Sequence, residues 1–167
     1  MNDALLNSEH QAPANPGLLA DLLIKKSLKL VTAESCTGGM IAAACTDLAG
    51  SSAWFERGFV TYSNDAKAES LGISATLIAD HGAVSEEVVR AMVQGAISHS
   101  KAQVAVAVTG VAGPTGGSRD KPVGTVWFGW LVGEQVTAER MLFKGDRAAV
   151  RAATARHALQ RLVALLS

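Results

Sequence analysis

The sequence predicts an α/β fold, a three-layer α/β/α sandwich on a mixed, mostly parallel sheet with a late antiparallel hairpin. Three observations predict it. Stretches of strand character alternate with amphipathic helical stretches through the first two thirds of the chain. Val104-Ala105-Val106-Ala107-Val108 holds only apolar residues, as a central strand covered on both faces requires. Near the end, the β-rich stretches 124–132 and 135–143 flank Gly133-Glu134, the spacing of a hairpin with a two-residue turn.

Taken in order, residues 1–14 are polar and turn-rich and are expected to form a flexible N-terminal arm, with 15–167 a single domain. Asn15 caps a first helix with Pro16 in its first turn, and Leu18, Leu19, Leu22 and Leu23 form its apolar stripe. Residues 29–33 predict a short strand, and 38–48 a glycine-led, alanine-rich helix, so that a tight turn joins strand to helix. Aromatic and β-branched residues make 53–62 a strand, whereas 65–71 carries helix formers and stops at Gly72. Ser85, followed by Glu86 and Glu87 and then by apolar residues at helical spacing, caps an amphipathic helix with an acidic first turn. After the central strand and the long loop 110–122 comes the hairpin. Asp146 caps the last helix, with Ala152, Ala155, Leu159, Leu162, Val163 and Leu166 on one face.

Composition narrows the partners. Lys plus Arg and Asp plus Glu number 15 each, so the net charge is +0 and no basic field is available for nucleic acid or an anionic membrane. The two cysteines, nine positions apart, match neither a disulfide framework nor zinc-ligand spacing and are expected to be reduced thiols, with no metal and no cofactor. The opening residues do not resemble a signal peptide, and no apolar run approaches the roughly 20 residues of a membrane span, so a cytoplasmic location is expected.

Two loops carry candidate chemistry. In Thr32-Ala33-Glu34-Ser35-Cys36-Thr37-Gly38-Gly39 a serine sits at the strand-to-helix turn, where unpaired amides near Cys36, Thr37 and Gly38 suit an oxyanion hole. Ser35 or Thr37 as a simple helix cap is the alternative, and Cys36 is a rival nucleophile because a helix N-terminus lowers a thiol pKa. Glu34 either organises the turn or meets a ribose hydroxyl. None of the four histidines is well placed as a base, His81 being the weak alternative to Lys67, whose amine would need a lowered pKa at the positive end of a short helix. The second loop, with Gly110, Gly113, Gly116 and Gly117, leaves the central strand at the sheet edge that binds ligands in open α/β folds, following Thr109. It is neither a Walker loop nor a dinucleotide fingerprint. Arg119, Lys121 and Arg147 offer cations for a phosphate, and Arg147 adds a helix N-terminus.

The segments 32–39, 50–64 and 110–125, the last including Lys121-Pro122-Val123-Gly124-Thr125, together closely resemble the CinA C-terminal domain family over almost the whole domain. The resemblance implies a serine and lysine dyad on Ser35 and Lys67, with Tyr62 and Asn64 nearby, and with Tyr62 and Thr109 able to relay or orient protons. It implies hydrolysis of the carboxamide of nicotinamide mononucleotide, a small-molecule pyridine nucleotide, and it points to a homodimer. A non-catalytic pyridine-nucleotide-binding module and a competence- or damage-associated regulator are the alternative functions.

Overall fold

The computed structural model describes residues 15–167, so the N-terminal arm lies outside the described residues. Five strands form one sheet in the order β2-β1-β3-β4-β5: β1 Leu30–Glu34, β2 Phe55–Val60, β3 Val104–Gly110, β4 Thr125–Val132 and β5 Gln135–Leu142. Six helices complete the domain: α1 Pro16–Lys25, α2 Met40–Thr46, α3 Asn64–Leu71, α4 Ala75–His81, α5 Glu86–Ser98 and α6 Arg147–Leu166. β1 pairs in parallel with β2 and with β3, whereas β3–β4 and β4–β5 are antiparallel. The sheet is therefore mixed as expected, with four strands running one way and β4 alone running against them as the first arm of the late hairpin. No helix separates β3 from β4, and a parallel return would need such a crossover.

Strand alternation explains the layers. Leu30, Val104, Val106 and Val108 face a core closed by α1, α2 and α6, while Val31, Ala33, Ala105 and Ala107 face a second core beneath α5. The alanines matter because α5 lies close to the sheet: a Cβ on Gly129, the register partner of Ala107, would sit 2.9 Å from the Val89 carbonyl oxygen. Larger side chains there would lift the helix and open a void elsewhere.

Most helix ends follow their capping residues. Asn15, Ser63, Ser85 and Asp146 each accept a hydrogen bond from an amide in the first turn of α1, α3, α5 and α6. Five details differ from expectation. α2 begins at Met40, because Gly38 and Gly39 hold positive φ angles of 59° and 108° that no helix admits. A helical turn at Ser51–Ala53 precedes β2, and α4, capped by Ser74, is too short to show periodicity in sequence. Leu18 is exposed, and on α6 Val150, Thr154 and Ala158 are buried where Ala152 is not. α6 is fixed to the sheet by its apolar face and by Trp130, whose Nε1 donates to the Ala158 carbonyl at 3.0 Å. That anchoring positions the arginines near the start of α6.

Candidate active site

Ser35 follows β1 directly, and Thr109 and Gly110 end the adjacent strand β3. From β1 the chain proceeds through α2 to β2 on one side; from β2 it returns through α3, α4 and α5 to β3 on the other. The crevice between the C-terminal ends of β1 and β3 is thus the topological switch point, where open α/β sheets bind ligands. A cavity of about 310 Å³ lies there. Two larger apolar cavities, one of about 660 Å³ that shares no residue with it and one of about 640 Å³ that adjoins it at Ala112 and Arg147, contain neither Ser35 nor Lys67.

Ser35 and Lys67 both line this cavity, with Lys67 Nζ 3.0 Å from Ser35 Oγ. The same amine donates to the Thr61 carbonyl at 2.9 Å. Lys67 is only 1% exposed, although α3 is otherwise a polar helix. Burial pushes its pKa below the usual lysine value, favouring the neutral amine. The principal cause is desolvation by burial. No carboxylate among the described residues pairs with Lys67, and the charge interaction with neighbouring Cys36, which acts in the opposite sense, is the smaller effect.

Cys36 also lines the cavity, but burial drives its thiol pKa up to about 11. A thiol protonated at neutral pH is a poor nucleophile, and this removes the argument that a helix N-terminus activates it. Glu34 is fully buried and serves the turn. Its carboxylate accepts from Thr37 Oγ1 at 2.6 Å and from the Ile41 and Ala42 amides at 2.9 Å each, capping α2 from the preceding strand. Glu34, Thr37 and Gly38, which were also expected to meet a ligand, are not on the cavity lining. Gly38 also donates its amide to the Ser35 carbonyl at 3.1 Å, so it is no oxyanion donor. Glu34→Ala is expected to destabilise the domain by about 2–4 kcal/mol in urea unfolding, since three hydrogen bonds to a buried carboxylate are lost together.

The opposite wall is the glycine loop, with Gly110, Gly113, Gly116 and Gly117 all on the cavity lining. Gly113 has φ +78°, and a Cβ there would meet Val123 Cγ1 at 2.4 Å, so close packing of the loop demands glycine. Within the loop the amides of Val111, Ser118, Lys121 and Gly124 have protein acceptors. Those of Ala112, Gly113, Gly116 and Gly117 have none among the described residues, an arrangement suited to an anion. Arg147 ties the loop to β2's exit: it donates to the Gly113 carbonyl at 2.8 Å and to the Tyr62 hydroxyl oxygen at 2.9 Å. Tyr62 and Asn64 complete that rim. Thr109 lines the cavity too, yet its hydroxyl donates to the Ala83 carbonyl at 2.8 Å, leaving only its lone pairs for a ligand. Lys121 is spent on the His81 carbonyl, and neither it nor Arg119 lines the cavity. His81 lies outside as well, facing Glu87 at 3.4 Å.

A family model, the CinA C-terminal domain, matches residues 15–166. The chain belongs to this family. Among curated CinA-family relatives, the nicotinamide-nucleotide amidohydrolase PncC of Escherichia coli K12 is 56% identical over 135 residues, 80% of this chain and 81% of that protein. The protein of the same name from Pseudomonas putida is 55% identical over 147 residues, covering 88% and 92%. A solved structure titled competence/damage inducible protein CihA, from Agrobacterium tumefaciens, has TM-score 0.86 at 44% identity and covers 91% of this chain and 95% of that one.

Within this CinA domain, sequence reading missed the groups that carry no motif. The Thr61 and Ala83 carbonyls hold Lys67 and Thr109, and a backbone carbonyl has no signature in sequence. Arg151, one turn beyond Arg147 on α6, reaches the carbonyls of Cys36 and Thr37 at 3.0 Å each. Its spacing from Arg147 on one helix face was the only available signal.

Proposed function

We propose that the chain is a nicotinamide-nucleotide amidohydrolase that converts nicotinamide mononucleotide and water to nicotinate mononucleotide and ammonia. The observation that carries this reading is the 3.0 Å approach of a buried lysine amine to a serine hydroxyl, in a chain 55–56% identical to proteins of that name.

A neutral Lys67 has two N–H groups and one lone pair. One N–H is held by the Thr61 carbonyl, which turns the lone pair towards the Ser35 hydroxyl. As Ser35 Oγ attacks the amide carbon, its proton passes to Nζ. The Cys36 amide, which has no backbone acceptor among the described residues and meets only its own thiol, is the donor offered to the developing oxyanion. Lys67 then returns the proton to the amide nitrogen as the carbon–nitrogen bond breaks, and ammonia leaves an ester on Ser35. Water adds to the ester, giving its proton to Lys67, and that proton passes to Ser35 Oγ as nicotinate departs. The unpaired loop amides and the spare Arg147 donors receive the phosphate, so that binding of the remote group fixes the amide against Ser35. The proposal extends to a cytoplasmic homodimer, for which the open edges β2 and β5 leave room. No helix among the described residues is long and apolar enough to cross a membrane.

Ammonia and nicotinate mononucleotide are the readouts when purified protein meets nicotinamide mononucleotide. Cys36→Ala is expected to keep activity within about threefold of the parent, because a protonated thiol takes no part. Activity lost with the thiol would transfer the nucleophile to Cys36. Tight nucleotide binding with no ammonia from the parent protein would establish a binding module instead.

A further inference from the structure

We infer that Arg151 is a positioning residue for the oxyanion hole, aiming the Cys36 amide by holding the peptide planes of the nucleophile turn. The inference rests on the amidohydrolase reading of the same site. Arg151 uses one edge of its guanidinium, Nε and Nη2, to donate to the Cys36 and Thr37 carbonyls at 3.0 Å each. It comes from α6, more than a hundred residues away in sequence, and lies beside Gly38, where a Cβ would be 3.5 Å from Nη2.

The consequence follows from the planarity of the peptide unit, in which a carbonyl and the next amide point in opposite directions. Fixing the Thr37 carbonyl towards α6 fixes the Gly38 amide the other way, where it donates to the Ser35 carbonyl at 3.1 Å. Fixing the Ser35 carbonyl in turn fixes the Cys36 amide in the opposite sense. Ser35 N–H itself donates to the Val108 carbonyl at 3.1 Å, so the turn is tied at its start by the sheet and at its end by Arg151. Immediately beyond the second tie, Gly38 and Gly39 at positive φ are the most freely rotating links before α2. Without Arg151, the Thr37 and Cys36 carbonyls would be free to reorient, and the Cys36 amide with them. A planar fork is needed because two carbonyls on successive residues must be held at once; a lysine ammonium holds one at a time.

The test compares Arg151→Met and Arg151→Lys with the parent full-length chain, by ammonia release and by the rate at which a fluorophosphonate labels Ser35. Labelling forms the Ser35 Oγ–phosphorus bond, expels fluoride and needs the same oxyanion donor, but no pyridine nucleotide. Arg151→Met is expected to lower kcat by about 10–100-fold, less than the 10²–10³ for deleting an oxyanion donor, with KM within about threefold. Labelling should slow by a similar factor, and Arg151→Lys should recover part of both. A thermal melt reports the folded fraction. Unchanged kcat and labelling in the folded Arg151→Met protein, or a change in KM and melting alone, would overturn the inference. If the parent labels in an Arg151-dependent way but releases no ammonia, the nucleotide reading fails while the positioning role stands. If the parent does neither, both fall.

Discussion

Ser35→Ala is expected to lower kcat for ammonia release by about 10⁴–10⁶-fold, the scale seen when a serine hydrolase loses its nucleophile. The physical reason is that Ser35 Oγ supplies the bond that replaces the carbon–nitrogen bond. No neighbouring group takes its place: burial holds the Cys36 thiol at a pKa of about 11, and the Thr109 hydroxyl is committed to the Ala83 carbonyl. Nucleotide affinity should change by less than about threefold, because the proposed binding mode places phosphate and ribose on the glycine loop and Arg147, away from the reacting carbon. Product formation under single-turnover conditions and calorimetric binding to the same variant separate the two effects. Activity near that of the parent would remove Ser35 from the reaction, and affinity lost in proportion to rate would make it a binding group.

Lys67→Met carries the second large effect, in activity and in stability with opposite signs. Protonated Lys67 cannot accept the Ser35 proton, so kcat/KM rises with pH through the folded-state pKa of Lys67, which burial holds below the ordinary value of about 10.4. Replacing it should lower kcat by about 10³–10⁵-fold and abolish that rising limb. Stability moves the other way. Between the lowered folded-state pKa and about 10.4, the unfolded chain binds more protons at this residue than the folded protein, so the parent gains stability as pH rises across that window. Below the folded-state pKa the penalty is fully present; above about 10.4 it is gone. Lys67→Met should therefore melt roughly 2–8 °C higher than the parent at neutral pH, with the gap closing as pH approaches that of free lysine. A lower melting temperature at neutral pH would mean that the bond to the Thr61 carbonyl outweighs the cost of burying the amine.

That trade has a structural origin. α3 presents Ala66, Ala68 and Glu69 around Lys67 and has almost no apolar stripe of its own, yet it buries Lys67 and Leu71. Met at position 67 would give the helix a conventional apolar contact. The lysine is retained at a cost in stability where the chemistry needs an amine without a proton.

The layers of the domain were legible in sequence because each rests on a local rule. The alternation of Val and Ala in 104–108 set both faces of the central strand, Gly133-Glu134 set the hairpin, and Asn15, Ser85 and Asp146 each mark a helix start by a side-chain oxygen close in sequence. Ser35 was visible as a serine at a strand-to-helix turn. The direction of β4 was not, since whether a strand returns parallel or antiparallel depends on the path of a loop of irregular residues, 111–124.

The residues themselves determined that a serine would stand at the C-terminal end of a buried strand, opposite a glycine-rich loop. Only the tertiary structure decided what that serine can do. A lysine on a polar helix reads as surface charge until the fold brings its amine within 3.0 Å of Ser35 and takes it out of water; Glu34 reads equally as a turn-organising or a ligand group until its carboxylate is found capping α2. Both facts are set by burial and by partners distant in sequence. Desolvation, which no local pattern encodes, lowers the Lys67 pKa and so suits it to the proposed role of base.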